Sequence, residues 1–175
     1  MTLRAVLSPT RLLLMLALAV GVALAPNGVQ TSDQLVPISD TDGSGGDGSG
    51  SVKKIAKFSR AERQMMRYID RARDRRGIHD MNRSRAIGYK ARLHAKRMRS
   101  DGSIFHSELG SMLKSLSWQI AGENVGMGPD LKGLHKAFMK SPGHKHNLLD
   151  KRFNRFAVGI VKDNGYIYVT VMFLG

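Results

Sequence analysis

The chain has 175 residues, a length that suits one folded domain with additional segments. It contains no cysteine, which excludes disulfides, thiolate nucleophiles, cysteine-ligated zinc and iron–sulfur clusters. Its 28 Lys and Arg residues outnumber 14 Asp and Glu residues and give a net charge of +14.

The N-terminal segment has the pattern of an export signal. Two arginines precede fourteen consecutive apolar residues, 12–25. A bilayer span needs about 20 apolar residues, whereas this shorter run suits the apolar region of a signal peptide. A small-x-small cleavage sequence ends at Ala25, but Pro26 disfavours cutting at that bond. We therefore predict a signal peptide over residues 1–25 and secretion, with an uncleaved membrane anchor as the alternative.

The next segment is predicted to be a linker. Residues 26–51 are rich in Gly, Ser and Asp and contain no Lys or Arg. This composition favours a disordered linker, which we place over residues 26–57, followed by a single domain over 58–175. Residues 52–175 contain 26 basic and ten acidic residues, so the domain carries a net charge of +16.

Helical patterns fill the first part of the domain. Ser59 and Glu62 have the spacing of a capping box, and the apolar residues that follow recur every three or four positions, which predicts a helix over 58–76. A second helix is predicted to start near Asn82 or Ser84 and to end at about residue 100, and a short third helix is predicted over 107–114. A fourth is predicted over 131–140, with Ser141-Pro142-Gly143 ending it.

Two extended regions complete the pattern. Residues 118–126 are predicted to form a strand or extended segment that enters a glycine-rich loop. Two runs rich in β-branched and aromatic residues flank Asn164-Gly165, a pair typical of a tight hairpin turn. Helices followed by an antiparallel hairpin predict an α+β layered domain.

Histidines and one glutamate are the candidate functional residues. The sequence contains no HExxH, GxSxG or P-loop motif, and its few glutamates make a pair of catalytic carboxylates hard to assemble. Glu123 lies between glycines after an apolar run, and His106 and His144 follow helix ends. Loop histidines can converge on zinc, so His106 and His144 are candidate ligands, with exposed histidines as the alternative.

Several motifs occur in an order that resembles a known family. These are LHAKRM, FHS, AGENVGMG, SPGHKHNLL, FAVGIV and GYIYVTVMFLG. Together they resemble the bacterial branch of the CAP superfamily, the extracellular SCP-like domain that cysteine-rich secretory proteins, antigen 5 and pathogenesis-related proteins share. The resemblance covers residues 60–175 and implies an α-β-α sandwich with an antiparallel central sheet.

The resemblance also implies a cleft with two histidines and two acids. His106 matches the first histidine, Glu123 the first acid and His144 the second histidine, and the histidines can bind Zn²⁺. The helix predicted over 131–140 contains no acid, so the second acid is missing and His135 is a speculative replacement. Glu123 would orient a metal-bound water or act as its base.

These observations favour binding over catalysis. We expect a secreted, monomeric module that binds a lipid-like, sterol-like or envelope ligand in the His/Glu cleft. The alternatives are a metal-dependent hydrolase of peptides or envelope material, and a charge-driven binder of anionic polymers, lipids or a membrane surface. Nucleic acid is not the expected primary target. A solvated basic face without a partner is the simpler interpretation of the charge.

The other histidines and the tryptophan have structural interpretations. His94 shares a helix face with small and apolar residues, so we expect it to be packed, and His79 is expected to be solvated. His146 has no counterpart in the family motif and is expected to be a neighbour of the site. Trp118 is expected to belong to the core.

Overall fold

The structure is a computed structural model that describes residues 21–24 and 56–175. Its elements in chain order are strand β1 (Gly21–Leu24), helix α1 (Arg60–Asp74), strand β2 (Asn82–Arg83), helix α2 (Arg85–Asp101), helix α3 (Leu109–Leu113), strand β3 (Ile120–Gly128), helix α4 (Leu131–Lys140), helix α5 (Pro142–Leu149), strand β4 (Arg155–Asp163) and strand β5 (Tyr166–Leu174). Within these ranges, no helix is both long enough and apolar enough to cross a membrane.

The predicted signal peptide and linker fall almost entirely outside the described residues. Of the signal segment, only β1 is described, and it pairs with β3 in antiparallel orientation from Gly21 opposite Glu123 to Leu24 opposite Ile120. Of the linker, only its last two residues are described. The signal peptide and the disordered linker therefore stay predictions.

Helix α1 begins as the sequence predicts. The Ser59 hydroxyl accepts a hydrogen bond from the backbone N–H of Glu62 at 3.2 Å, and the Glu62 carboxylate accepts one from the backbone N–H of Ser59 at 2.7 Å. This reciprocal pair confirms the capping box. Met65, Met66 and Ile69 are fully buried on the inner face, so the predicted apolar stripe faces the core.

Helix α2 packs unusually close to the sheet. Ser84 caps its first turn through a hydrogen bond from the backbone N–H of Ile87 at 3.3 Å, and Gly102 ends it with a positive φ of 64°. At Gly159 of β4, an added Cβ would lie 2.2 Å from the carbonyl carbon of Ala91 in α2. The helix thus rests directly on the strand backbone, and only glycine fits at this crossing.

The glycine-rich segment after residue 120 is not a loop. We predicted a loop after a short extended segment, but β3 continues to Gly128. Side chains of α4 occupy the space above its glycines: an added Cβ at Gly126 would lie 3.0 Å from Phe138, and one at Gly128 would lie 3.1 Å from Leu134. The glycines therefore let α4 pack onto the strand. This tertiary contact cannot be predicted from the strand propensity of the local sequence.

Ser141-Pro142-Gly143 ends one helix and begins another. The sequence predicted only the end, and α4 does stop at Lys140. Ser141 is both the C-cap of α4 and the N-cap of α5, and Pro142 is the first residue of α5, where its missing N–H leaves no bond unmade. His144 therefore lies on a short helix and not in the loop that the sequence suggested.

The C-terminal hairpin is confirmed. Strands β4 and β5 pair from Arg155 opposite Leu174 to Asp163 opposite Tyr166. Asn164 and Gly165 have positive φ angles of 45° and 79°, which is the geometry of a type I′ hairpin turn.

The sheet is mixed, which corrects the antiparallel sheet that we expected. Its strand order is β1-β3-β5-β4-β2. The β1–β3, β3–β5 and β5–β4 pairs are antiparallel, but β2 runs parallel to β4. Strand β2 has two exposed residues that pair with Arg155 and Phe156 of β4, and the Asn82 N–H donates to the carbonyl of Asn154, the residue before β4, at 2.8 Å. Such a short polar strand has no pattern in the sequence.

The helices cover both faces of this sheet. Helix α2 packs against β4 and β5, whereas α1, α4 and α5 pack against one another and the other face. A small apolar cluster joins α2 to the sheet: Ala95 and Met98 of α2 belong to it, together with Val125 of β3 and Tyr168 of β5. The expected α-β-α sandwich is therefore confirmed, apart from its parallel edge strand.

Candidate functional site

A buried carboxylate on β3 is the centre of the candidate site. Glu123 has an exposed fraction of 0%. Its Oε2 accepts hydrogen bonds from the backbone N–H of Ser107 at 2.9 Å and from Nδ1 of His106 at 2.8 Å. Its Oε1 accepts one from the Ser107 hydroxyl at 2.8 Å. Three donors thus compensate the loss of solvent around this acid.

This contact fixes the orientation of His106. Because Nδ1 faces a carboxylate, it carries the proton that the hydrogen bond needs, and Nε2 points away from Glu123. The His106 side chain is 18% exposed, so its ring lies at the rim of the site. The predicted association of His106 with Glu123 is therefore present.

His94 supports the same carboxylate from α2. It is 1% exposed, which confirms the expected packed histidine. Its Nε2 lies 2.7 Å from the carbonyl oxygen of Phe105 and 3.9 Å from Oε1 of Glu123. The Phe105 ring also contacts its edge, at a centroid distance of 5.1 Å and an angle of 89°. His94 thus holds the segment that leads into His106, a role that the sequence did not indicate.

His144 lies on α5, which packs against β3. The side chain of Asn124 contacts α5 through a hydrogen bond from Nδ2 to the His144 carbonyl at 3.0 Å. The His144 ring is fully buried and packs on Phe138 at a centroid distance of 5.1 Å. Neither ring nitrogen has a hydrogen-bond partner among the described residues.

Two asparagines, Asn124 and Asn147, join β3 to α5, and the sequence interpretation missed both. Asn147 of α5 donates from Nδ2 to the backbone carbonyl of Glu123 at 3.2 Å and to Oδ1 of Asn124 at 3.0 Å. Both asparagines are fully buried. The only hint was position, since Asn124 follows Glu123 directly and Asn147 lies one helical turn after His144.

The donor set does not fit a zinc site with three protein ligands. Among the described residues, no group of three or more histidines and acids is arranged to hold a metal ion. Glu123 already accepts three hydrogen bonds. It is therefore suited to orienting His106 and poorly suited to ligating metal. Zinc held by His106 and His144 alone stays a prediction.

The remaining histidines lie away from this network. His135, the speculative replacement for the missing acid, packs against Tyr68 of α1 at a ring distance of 5.5 Å. Burial, and secondarily the charge of Arg75, lower its pKa. His79 is exposed in the loop after α1, as expected, whereas His146 is exposed and lies 3.5 Å from Asp150.

The buried histidines make folding sensitive to acid. Burial, and secondarily the charge of His106, lower the pKa of His144. Below the ordinary pKa of about 6.5, this histidine binds a proton in the unfolded chain but stays neutral in the folded chain. Its contribution to the free energy of unfolding is therefore fully present above that pH and is lost as the pH falls. The loss is at most about 1.4 kcal/mol per pH unit for each such histidine.

Urea unfolding between neutral pH and about pH 5 measures this effect, since an ordinary histidine titrates near 6.5. We expect His144→Phe, which pairs an apolar ring with Phe138, to flatten the dependence of the unfolding free energy on pH. His79→Gln removes an exposed histidine and should leave the dependence unchanged. An identical pH profile for His144→Phe and the wild type would contradict the assignment.

Comparison with known families identifies this architecture. The model of the cysteine-rich secretory protein family, CAP, matches residues 66–173. The chain therefore belongs to the CAP family, and the resemblance of its motifs to the bacterial branch is confirmed. A bacterial relative is the uncharacterized protein YkwD of Bacillus subtilis, which is 30% identical over 131 residues. That match covers 70% of this chain and 46% of YkwD.

Solved structures support the same fold. An extracellular SCP-domain protein of Bacillus anthracis has a TM-score of 0.60 at 24% identity, and the match covers 65% of this chain and 40% of that protein. An outer surface protein of Borrelia burgdorferi has a TM-score of 0.59 at 16% identity, with 64% and 90% covered. The chain thus spans less than half the length of its two Bacillus relatives.

Proposed function

We propose that this chain is an exported CAP-domain module that binds anionic material of the cell envelope and catalyses no reaction. The observation that carries the proposal is the net charge of +16 on residues 52–175. A charge excess of this size attracts polyanions over distances of several ångströms and accelerates their association.

Few of the basic side chains are compensated by acids. In the described part of the chain, arginine–carboxylate ion pairs join Arg83 to Asp70, Arg92 to Glu62 and Arg152 to Asp150. Most other Lys and Arg side chains are exposed, whereas Arg73 is buried. The excess positive charge is thus exposed to solvent, where an anionic partner can bind it.

The histidine network supports a non-catalytic function. A catalytic acid or base must come within hydrogen-bond distance of a substrate proton, about 3 Å. Glu123 and His144 are fully buried, and three donors already occupy the carboxylate of Glu123. These features suit a polar network that fixes the fold around β3. Sterol or lipid binding in a cleft and metal-dependent hydrolysis stay predictions from the family resemblance.

Export is supported by the N-terminal sequence and by relatives. The apolar run over residues 12–25 has the length of a signal segment. The Bacillus anthracis relative is described as extracellular and the Borrelia burgdorferi one as an outer surface protein. After export, the abundant polyanions are envelope polymers and lipid headgroups.

Retention of the full chain on a polyphosphate-coupled resin tests the proposal. We expect retention at low salt and release as the salt approaches about 1 M, because the screening length falls from about 10 Å at 0.1 M to about 3 Å. An uncoupled resin is the control. Absence of retention at low salt, or retention that high salt does not reduce, would contradict charge-driven binding.

A further inference from the structure

One exposed face of α1 is a row of arginines. Arg60, Arg67, Arg71 and Arg75 are all exposed and lie seven or four residues apart, so they share one side of the helix. The 15 residues of α1 extend over about 22 Å. None of these four arginines forms an ion pair with an acid among the described residues. Asp74 is the exposed acid beside this row.

Helix α4 adds a row of lysines. Lys132, Lys136 and Lys140 are exposed at four-residue intervals. The two helices are in contact, and the ring of His135 packs on that of Tyr68 at 5.5 Å. The two rows therefore flank one seam. The α1–α4 face is defined by Arg60, Arg67, Arg71, Arg75, Lys132, Lys136 and Lys140.

A groove opens at one end of this seam. It has a volume of about 420 Å³, and its cationic lining comes from Arg60, Lys132 and Lys162. Its single acid is Asp130, whose Oδ1 accepts a hydrogen bond from the backbone N–H of Gly133 at 2.8 Å. That carboxylate is thus engaged in capping α4, and the three cations remain available to a ligand.

The positive charges of the α1–α4 face favour a long anionic ligand that has no apolar group to bury. Among the described residues, the large apolar side chains that are exposed are Tyr89 and Phe105, and neither belongs to α1 or α4. The face therefore offers nothing to insert into the acyl region of a bilayer. Seven cations along two adjacent helices complement a chain of repeated anions, whereas a single phosphate would meet only a few of them.

We infer that the α1–α4 face binds a linear polymer that carries a phosphodiester in each repeat, with one end of the polymer seated in the groove beside Arg60, Lys132 and Lys162. This inference rests on the proposed function and specifies the surface and the class of partner. Binding neutralises phosphates with Lys and Arg and releases their counterions.

Two matched variants of the full chain test the location. The face variant carries Arg67→Gln, Arg71→Gln and Lys136→Gln. The control carries Arg85→Gln, Arg97→Gln and Arg99→Gln, which removes three exposed cations from α2. Both variants lose three exposed positive charges, so the number of charges removed is the same at the two locations. The probe is a fluorescent glycerol phosphate oligomer long enough to span α1, titrated between about 50 and 200 mM salt.

We expect the face variant to lose affinity on the order of 10²-fold at the lowest salt, and its slope of log affinity against log salt to fall by about 2. The control should retain nearly the wild-type slope. Circular dichroism and urea midpoints matching the wild type verify that both variants fold.

Three outcomes overturn the inference in distinguishable ways. Equal losses in both variants would show diffuse binding and leave the proposed function standing. Wild-type protein that binds the oligomer at no salt concentration would remove the proposed function as well. Vesicles of phosphatidylglycerol that compete as well as the oligomer at equal phosphate concentration would replace the linear polymer with a membrane surface.

Discussion

Gly159→Ala is expected to lower the free energy of unfolding by about 3 kcal/mol, the upper end of the usual cost of overpacking. The added Cβ would lie 2.2 Å from two main-chain atoms, the carbonyl carbon of Ala91 and the amide nitrogen of Arg92. Backbone atoms inside a helix cannot rotate aside, so α2 must move away from β4. The midpoint of urea unfolding measures the loss.

Gly110→Ala is the matched control for this substitution. An added Cβ at Gly110, in α3, meets no atom within 4 Å. Replacing a helical glycine by alanine there should leave stability unchanged or raise it by about 0.5–1 kcal/mol. Equal midpoints for Gly159→Ala and the wild type would mean that α2 does not rest on the strand as described.

Arg73→Ala is expected to cost about 3 kcal/mol, through a cavity and buried carbonyls left without donors. Arg73 is fully buried, and its guanidinium donates to the carbonyl oxygens of His79, Leu148 and Asp150 at 3.0–3.1 Å. The last two acceptors lie at the C-terminal end of α5, where cations are favoured. Arg73 therefore fastens the helix that carries His144 to the end of α1.

Burial reduces the net contribution of Arg73, because desolvation lowers the pKa of its guanidinium and Asp150, Asp80 and Asp70 only partly offset this. Arg73→Met, which removes the charge but keeps volume, should therefore cost less than Arg73→Ala. Arg71→Ala, at an exposed position of the same helix, should change stability by at most about 0.5 kcal/mol. If Arg73→Ala and Arg71→Ala unfold at the same urea concentration, the anchoring role is wrong.

The sequence predicted those helix ends and turns that depend on hydrogen bonds and backbone angles of residues close together in the chain. The capping box at Ser59 and the Asn164-Gly165 turn each act through neighbouring backbone atoms, and both are present. Helix α5 was missed because Ser-Pro-Gly is typical of a helix end, although proline is equally favoured at a first helical position. The extent of β3 depends on how α4 covers its glycines, which no local pattern records.

The site was predictable only in part for a related reason. The family motifs indicated His106, Glu123 and His144, and His106 does contact Glu123. His144 lies on α5, where its ring is buried against Phe138 and its carbonyl accepts a hydrogen bond from Asn124, contacts that the motif did not indicate. The supporting contacts of His94 and Asn147 join segments 11 and 24 residues apart, so they became visible only in the folded chain.

The amide of Asn147 has a consequence for the outer edge of the sheet. Among the residues that the structure describes, β1 pairs with β3 from Ile120 to Glu123, and β3 continues to Gly128 beyond this pairing. Uncovered strand edges are templates on which another chain can add by backbone pairing. The Asn147 side chain occupies the carbonyl of Glu123 where β1 begins. The next residue, Asn124, is the first that β1 does not cover in the described part of the chain, so Asn147 marks the point beyond which residues 124–128 are open to backbone pairing with another chain.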